Sequence, residues 1–450
     1  MRYILSNNQV MLLQFSVRNF KTFKNKATLS LVASNYDKDT LKDENVIAER
    51  RYGFKLLKSA VVYGSNASGK TNLLEAFAFM RYFVMNSSRE SKKDERINVH
   101  PFKLSVETEN EPSEFEVIFL SDNVLFRYGF EVTQQEIISE WLYYKPKTKE
   151  IELFYRDGNN FDIHERSFAK ARFVVKEGIV RDNALLLSVA AQFNETKAII
   201  AMRWFQQTGM LSGFEEDEYR GFTMSKMEIP IHKAKILELL KAADLGIHDI
   251  SLKTLDVENL PKEMSKEVRD EITKEIVEEK AKFVSTLTIH KKYDSNSEVV
   301  DNVNFSLYGE ESSGTIKFFA FIGPILDVIE NGYTIMIDEL DSKLHPNLVR
   351  RIVSLFNSKD INRKNAQLIF NTHDTNLLDP ELFRRDQIWF TDKNIYGEAK
   401  LYALADFKSD EVRKNEPYEE NYIRGKYGAV PFLGFFDNLN QILSQYENEK

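Results

Sequence analysis

Apolar and polar positions alternate along the first part of the chain, as they do in strands that bury one face. The alternation covers residues 12–32, with a break at Asn19. It returns in two runs, 114–120 and 125–132, on either side of a short polar turn. The first stretch predicts a strand pair, and the second predicts an antiparallel hairpin.

The apolar residues take helical spacing in the middle of the chain. Residues 184–243 are predicted to be mostly helical, and strand patterns return from about residue 284. Residues 262–283 are highly charged with one narrow apolar stripe. This stripe favours a surface helix packed against the body, with a short coiled-coil arm or a partner-binding helix as the alternative.

A glycine-rich loop separates an apolar run from a helical one. Residues 64–71 read GSNASGKT, after the apolar run 56–63 and before the helical run 72–80. In that context backbone N–H groups and a helix N-terminus can bind a polyphosphate, which Lys70 would also reach, and Thr71 can hold Mg²⁺. The loop predicts binding of a nucleoside triphosphate. The predicted nucleotide-binding residues here are Gly64, Ser65, Asn66, Ala67, Ser68, Gly69, Lys70, Thr71 and Asn72.

An apolar run ends in two acidic residues. Residues 333–337 are followed by Asp338 and Glu339. In a nucleotide-binding sheet, Asp338 would reach Mg²⁺ and Glu339 would polarise the attacking water. The alternative is a plain strand end, since many strands end in acidic turns.

A second apolar run, residues 366–372, ends in His373. A single histidine is more often structural than catalytic. Its place after a strand that follows the acidic pair favours a sensor of the γ-phosphate, because an imidazole there can hydrogen-bond the terminal phosphate and the attacking water.

Hydroxyl-bearing residues also mark the start of a helical run near residue 316. Ser312, Ser313 and Gly314 precede it, and such a cluster can bind a second anion at a helix start. An ordinary helix cap is the alternative. The position shortly before the acidic strand favours contact with phosphate.

The amino-acid composition limits the kinds of partner and ligand that the chain is expected to bind. The 450 residues include 61 basic and 69 acidic ones, for a net charge of −8, so any contact with DNA must be confined to a local patch. Cysteine is absent, which excludes disulfides and thiolate metal sites and fits a cytoplasmic protein. No apolar run approaches the roughly 18 residues of a membrane span, so no membrane partner is expected.

The order of the motifs resembles that of ABC-type ATPases of the SMC/RecF/OLD class. These have a phosphate loop, a long insertion, a Ser-Gly signature, an Asp-Glu strand and a switch histidine in this order. The runs FSVRNFK at 15–21 and DELDSKLHP at 338–346 agree with it. More narrowly, the chain is similar to bacterial RloA/AbiL-like AAA-family ATPases found beside restriction-modification and phage-defence genes. The resemblance covers most of residues 11–431.

The resemblance implies a role for each motif residue that would contact the ATP bound by the same chain. Lys70 and the loop amides would hold ATP phosphates, and Thr71 with Asp338 would hold Mg²⁺. Glu339 would be the catalytic base and His373 the switch. The chain is therefore expected to be an ATPase with ATP and Mg²⁺ as its ligands.

The resemblance also implies a shared site. Ser312 and Gly314 would contact the ATP of the opposite subunit, and residues 342–345 would lie across the same interface as a D-loop. The resemblance therefore implies that ATP holds the chain in a homodimer or a higher homo-oligomer. Ser313 stands where the family's signature has its first glycine, and this is a departure.

The Gln-loop of the family has no definite place in this sequence. Gln134 and Gln135 are candidates, although residues 100–102 could occupy the same place. The resemblance therefore assigns no residue to this role.

Pattern and resemblance together predict an α/β fold. We expect an ABC-type P-loop ATPase head, with a mixed central sheet, an antiparallel β-subdomain, a mostly helical insertion and a short C-terminal element. The predicted segments are 11–135 for lobe I, 136–283 for the insertion or lid, 284–405 for lobe II, and 406–450 for the C-terminal element.

The function expected from the resemblance is a nucleotide-gated sensor or regulator in anti-phage defence by abortive infection. It would control a partner effector encoded nearby, expected to be a nuclease. The alternative is a DNA-repair or chromosome-associated ATPase of the SMC/RecF kind that acts directly on DNA. A nucleotide-gated scaffold with incidental turnover is a third, non-enzymatic hypothesis.

Overall fold

The computed structural model describes residues 10–35, 37–89, 95–213, 216–255, 283–408, 411–413 and 416–431, with isolated positions between 257 and 277. The chain divides into two compact units. Unit 1 comprises Met1–Ser212, Val328–Asp341 and Val349–Lys450, and unit 2 comprises Gly213–Asp327 and Ser342–Leu348.

The described elements alternate between strands and helices. In chain order the strands are β1 (Met11–Arg18), β2 (Ala27–Ser30), β3 (Val46–Ala48), β4 (Lys55–Leu57), β5 (Ser59–Tyr63), β6 (Ser113–Ser121), β7 (Val124–Val132), β8 (Ile137–Lys145), β9 (Ile151–Asp157), β10 (Asn160–Ile163), β11 (Thr208–Ser212), β12 (Asp249–Leu255), β13 (Phe283–Tyr293), β14 (Val299–Ser306), β15 (Thr334–Asp338), β16 (Gln367–Asn371), β17 (Ile388–Lys393) and β18 (Ala399–Ala403). The α-helices are α1 (Lys42–Asn45), α2 (Lys70–Asn86), α3 (Ala169–Lys176), α4 (Leu186–Gln192), α5 (Thr196–Gln206), α6 (Glu216–Met227), α7 (Pro230–Ala242), α8 (Ser313–Asn331), α9 (Pro346–Asn357) and α10 (Tyr418–Ile423). Short 3-10 helices span Thr375–Leu377, Arg385–Gln387 and Leu404–Asp406.

A mixed six-stranded sheet forms the centre of unit 1, in the order β11-β15-β16-β5-β17-β18. The first five strands are parallel, and β18 is antiparallel to β17. Every residue of β5 and of β16 is buried, as expected for parallel strands covered on both faces. This sheet brings the carboxyl ends of β5, β16 and β15 to one edge.

An antiparallel sheet of seven strands makes up the β-subdomain of unit 1, in the order β10-β9-β8-β7-β6-β1-β2. The predicted strand pair is β1 with β2, and the predicted hairpin is β6 with β7. The strand alternation of β6 buries Phe115, Val117 and Phe119. The predicted α/β fold, with its mixed central sheet and antiparallel subdomain, is confirmed.

Aromatic side chains join α2, α5 and the antiparallel sheet. Phe77 of α2 makes edge contacts with Phe15 at 5.3 Å and with Trp204 of α5 at 6.0 Å between ring centroids. Trp204 in turn stacks on Phe119 of β6 at 4.5 Å. These rings bury a large apolar area and fix the helix that begins at the phosphate loop.

Unit 2 contains α6, α7, most of α8 and the antiparallel sheet β12-β13-β14. Thr223 of α6 lies against Gly323 of α8, where a methyl group in place of the Gly323 hydrogen would be 2.3 Å from the Thr223 hydroxyl. The Lys226 ammonium also pairs with Asp327 at 2.5 Å. Two helices of this unit are thus held in close contact.

The predicted insertion at 136–283 contains more strand than its pattern suggested. Residues 137–163 form β8, β9 and β10, because they alternate in burial and pair onward from β7. The helical prediction for 184–243 holds for α4, α5, α6 and α7, although β11 lies between them. The charged stripe at 262–283 lies outside the described residues, apart from isolated positions and the start of β13. The four domain boundaries stay predictions.

In the part of the chain that the structure describes, no helix combines the length and the apolar content that crossing a membrane requires.

We predict that Phe119→Ala lowers the free energy of unfolding by about 3–5 kcal/mol, since it removes a fully buried ring from the aromatic cluster. Guanidinium titration followed by far-ultraviolet circular dichroism measures the loss. Phe173→Ala is the matched control, because that ring is 57% exposed and its removal should change the free energy by less than about 0.5 kcal/mol. Equal losses in both variants would contradict the packing described.

Candidate functional site

The phosphate loop joins β5 to α2, as the sequence predicts. Gly64 approaches β17 so closely that a methyl group on it would be 2.4 Å from the Thr391 carbonyl oxygen. Gly69 has a φ of 114°, a region that favours glycine, and it immediately precedes α2. The Ser68 hydroxyl bonds the Thr391 hydroxyl at 2.8 Å. These contacts fix the loop over the helix N-terminus, where backbone N–H groups favour anions.

Lys70 is buried inside the loop. Its ammonium donates to the carbonyl oxygens of Gly64 at 2.9 Å and Ser65 at 3.1 Å. Burial lowers the pKa of Lys70 to about 8, although the negative charges of Glu339, Asp341 and Asp338 act in the opposite direction. The group is still mostly protonated at pH 7, and a nearby polyphosphate would favour its charged form further.

Three of the predicted motifs meet at one cleft of unit 1. Asp338 is the last residue of β15, and His373 follows β16, the strand between β15 and β5. Because these strands are parallel neighbours, the residues after them emerge at the same edge as the phosphate loop. The cleft has a volume of about 680 Å³ and is lined by Asn66, Ala67, Ser68, Gly69, Lys70, Thr71, Asn72, Glu339 and His373.

His373 is held at the edge of this cleft by its backbone. Its N–H donates to Asp341 Oδ2 at 3.2 Å. Burial lowers the pKa of His373 below 6.5, and the charge of Lys70 lowers it further, against the opposite effect of three carboxylates. The imidazole is therefore neutral at pH 7, which suits a group that both donates and accepts hydrogen bonds.

Asn371, the last residue of β16, joins the acidic pair to the histidine strand. Its side-chain amide donates to Asp338 Oδ1, and its Oδ1 accepts the backbone N–H of Glu339 at 2.5 Å. Glu339 has a φ of 50°, in the left-handed region that non-glycine residues rarely adopt. Asn371 is not among the site residues that the sequence predicts. One sequence feature could have pointed to it. Asn371 lies two residues before His373, at the end of the apolar run that follows the acidic strand.

The side chains of Thr71 in the cleft and of Asp338 at the end of β15 are of a kind that fits Mg²⁺. Thr71 supplies a hydroxyl and Asp338 a carboxylate, which are hard oxygen ligands, and a bound polyphosphate would supply more. Asp341 Oδ1 is also buried with no hydrogen-bond partner among the described residues. Within those residues no cluster of three or more His, Cys, Asp or Glu could hold a metal ion, so the protein donors alone form no closed metal cage.

The signature residues lie in unit 2, so the structure does not place them in the cleft of unit 1. The Ser312 hydroxyl accepts the Thr315 N–H at 3.1 Å and thus caps α8. Ser312 and Ser313 are exposed. A methyl group on Gly314 would be 2.7 Å from the Lys343 carbonyl oxygen, so this glycine lets the predicted D-loop pack against the signature.

An acid beside the signature anchors it within unit 2. Glu311 accepts hydrogen bonds from His290 of β13 at 2.6 Å and from the Thr288 hydroxyl. The His290 ring lies against Phe305 of β14, with 4.7 Å between centroids. The start of α8 is thereby tied to the small sheet of unit 2.

Helix α10, the last helix among the described residues, contacts two parts of the site, and no pattern in the sequence predicts either contact. Glu419 accepts the Thr375 hydroxyl at 2.7 Å, two residues after His373. Tyr422 bonds the backbone of Gly64, and burial raises its pKa to about 12. The hydroxyl of Tyr422 also donates to the Ala429 carbonyl at 3.0 Å.

The candidates for the Gln-loop lie elsewhere. Neither Gln134 nor Gln135 is among the described residues that line the cleft. Both line a separate cavity of about 370 Å³ with Val99 and Pro101. The Gln-loop stays without an assigned residue.

Comparison with known proteins assigns the chain to a family. Residues 59–379, more than half of the chain, match the family model described as "AAA domain, putative AbiEii toxin, Type IV TA system". Among solved structures, the chain is similar to an SMC head domain from Thermotoga maritima, with 12% identity, a TM-score of 0.38, and coverage of 87% of this chain and 98% of that one. No curated protein matches the sequence. The matched range contains the phosphate loop, the signature, the acidic pair and the histidine, and the chain belongs to this family of AAA-domain proteins.

Proposed function

We propose that the chain is an ATPase that binds ATP with Mg²⁺ and hydrolyses it to ADP and phosphate. The observation that carries this proposal is the convergence of Lys70, Glu339 and His373 on one cleft beside a phosphate loop. The family is one of AAA domains, which agrees with nucleotide chemistry.

Each residue has a distinct part in the proposed reaction. Lys70 and the loop N–H groups hold the phosphates and offset their charge. The Glu339 carboxylate orients the attacking water and takes its proton, and the neutral His373 imidazole hydrogen-bonds the terminal phosphate. Mg²⁺ held by Thr71 and Asp338 would supply charge stabilisation to the phosphate oxygens.

We further propose that ATP holds two copies of the chain head to tail. Support comes from the exposed hydroxyls of Ser312 and Ser313 at the start of α8, and from the resemblance to ABC-type ATPases. In such a dimer each ATP would contact the phosphate loop of one subunit and the signature of the other. Loss of the γ-phosphate would then weaken the interface.

The proposed biological role is regulation in anti-phage defence by abortive infection, in the cytoplasm. The family is described as a putative AbiEii toxin, and the sequence resembles RloA/AbiL-like ATPases. The ATP state would control a partner effector, which we expect to be a nuclease encoded nearby. The described residues hold no metal cluster that could serve as a nuclease site of their own.

The test of this proposal is Glu339→Gln, which should bind ATP but hydrolyse it about 100-fold or more slowly, since the base is lost while the phosphate contacts remain. Lys70→Ala is the contrasting variant and should lose ATP binding itself. Equilibrium titration with a fluorescent ATP analogue, phosphate release and light scattering measure binding, turnover and mass. Glu339→Gln should form dimers with ATP, and normal turnover in this variant would remove Glu339 as the base.

A second substitution, made in the Glu339→Gln variant, separates dimer formation from nucleotide binding. Adding Gly314→Ala to Glu339→Gln should leave ATP binding intact and abolish the ATP-dependent dimer, because a methyl group displaces the Lys343 carbonyl. Dimers that persist at wild-type strength would exclude the signature from the interface. Gly221→Ala is the control, because nothing lies within 4 Å of the Cβ it would add.

Turnover should be constant between about pH 8 and pH 6.5 and should fall as the pH drops further. The pKa of His373 is lowered below 6.5, so its neutral form is present above that pH and is lost below it. Steady-state phosphate release in buffers of equal ionic strength measures the profile. His373→Gln should be slow at all pH values and lack this decline, and an unchanged decline would assign it to another group.

A basic surface on unit 1 favours a second candidate, direct action on DNA. The turn between β3 and β4 is bound to the turn between β8 and β9, where Arg51 donates to the Pro146 carbonyl and Tyr52 to the Lys145 carbonyl. Exposed basic side chains gather at these turns, namely those of Arg50, Arg51, Lys147 and Lys149. In an acidic protein, such a local patch is where phosphodiesters would bind.

If DNA binds at this patch, the double variant Arg50→Glu with Lys147→Glu should weaken DNA binding at least tenfold and flatten its salt dependence. Fluorescence anisotropy with a labelled duplex at several salt concentrations measures both. Arg166→Glu with Lys176→Glu is the matched control at exposed positions of the same unit. Weak binding by the unmodified protein, with or without ATP, would favour the role in defence.

A further inference from the structure

The acidic pair depends on a side chain that lies on a different strand. Asn371 is fully buried at the end of β16, in register with Val62 of the phosphate-loop strand β5. On the other side, Phe370 pairs with Ile337 of β15, the residue before Asp338. Asn371 therefore lies between the strand of the phosphate loop and the strand of the acids.

The hydrogen bonds of Asn371 fix the orientation of its amide. The Glu339 backbone N–H can only donate, so it meets the side-chain oxygen, and the Asp338 carboxylate accepts from the side-chain nitrogen. The Asn371 carbonyl also accepts the Leu340 N–H at 3.3 Å. One residue thus binds three consecutive residues at the end of β15.

These contacts bear directly on the geometry of the proposed base. The left-handed conformation of Glu339, at a φ of 50°, is unfavourable for a residue other than glycine and persists where neighbouring groups impose it. The bond from the Glu339 N–H to Asn371 supplies that constraint. The bond to Asp338 Oδ1 holds that carboxylate through one of its oxygens.

We propose that Asn371 is a positioning residue for ATP hydrolysis: it sets the backbone of Glu339 and the carboxylate of Asp338 relative to the phosphate loop. This inference rests on the proposed ATPase function. A second bond, from the His373 N–H to Asp341 at 3.2 Å, joins the same two strand ends. Asn371 thus joins the proposed base to the proposed metal ligand, and the separate His373–Asp341 bond holds the switch histidine beside the same strand end.

Two substitutions of similar size test the proposal. Asn371→Leu removes both side-chain bonds and should lower kcat about 100-fold with KM changed less than about threefold, because Lys70 and the loop still hold ATP. Asn371→Asp keeps the acceptor for the Glu339 N–H but places a carboxyl group against Asp338. Only its protonated form can donate to Asp338 as the amide does.

The split between kcat and KM separates positioning from a general structural role. Asn371→Asp should lower kcat at least tenfold at about pH 7.5 with KM changed less than about threefold, because a carboxylate at this place accepts the Glu339 N–H but cannot donate to Asp338. A kcat within threefold of normal in either Asn371→Leu or Asn371→Asp would overturn the proposal.

Gln367→Leu is the matched control, since this fully buried amide lies at the other end of β16 and bonds the backbone of Leu12 and Leu57. It should reduce stability but keep kcat within about threefold. An equal loss of kcat in Gln367→Leu would assign the effect of Asn371 to the sheet as a whole.

Hydrogen exchange measured by mass spectrometry tests the placement without relying on turnover. Peptides covering residues 334–341 should exchange at least tenfold faster in Asn371→Leu than in the unmodified protein, because the Glu339 and Leu340 amides lose their fixed partner. Unchanged exchange would overturn the inference. A failure of the unmodified protein to hydrolyse ATP would instead overturn the proposed function, and the exchange result would still decide the role of Asn371 in holding the acidic pair.

Discussion

The parallel register of β5, β16 and β15 is the constraint on which the cleft depends. Each strand delivers its last residues to the same edge, and a slip by one residue would turn every side chain of a strand to the opposite face. Buried amides hold β16 at both ends. Gln367 bonds Leu12 and Leu57 at its start, and Asn371 bonds the end of β15. The chemistry at the edge is therefore supported by hydrogen bonds deep in the sheet.

The two compact units divide the motifs between them. Unit 1 contains the phosphate loop, the acidic pair and the histidine, which together form a cleft. Unit 2 contains the signature serines, with Glu311 and His290 beside them. Under the proposed head-to-tail arrangement both surfaces are needed, and each of them belongs to its own compact unit. The contacts of α10 with Thr375 and Gly64 add a third element, since they tie the C-terminal part of unit 1 to the nucleotide cleft.

The sequence predicted the parts of the site that consist of contiguous residues. The loop at 64–71, the acids after β15 and His373 after β16 all carry a local signal, namely an apolar strand that ends in polar residues. Asn371 belongs to the apolar run that ends in His373, but its partners Asp338 and Glu339 are far away in the sequence, so its role depends on the pairing of β15 with β16. Glu419 likewise acts through a distant partner, Thr375. The strands at 137–163 were missed for a similar reason, because their pairing with β7 decides their structure.

The burial of Lys70 carries an electrostatic cost within unit 1. Its ammonium donates to two loop carbonyls, and burial lowers its pKa to about 8, so the positive charge is less favourable here than in water. A phosphate group bound at this place would offset that cost as well as form new bonds. Under the proposed function, part of the affinity for nucleotide would therefore come from relief of a desolvation penalty and not from new contacts alone.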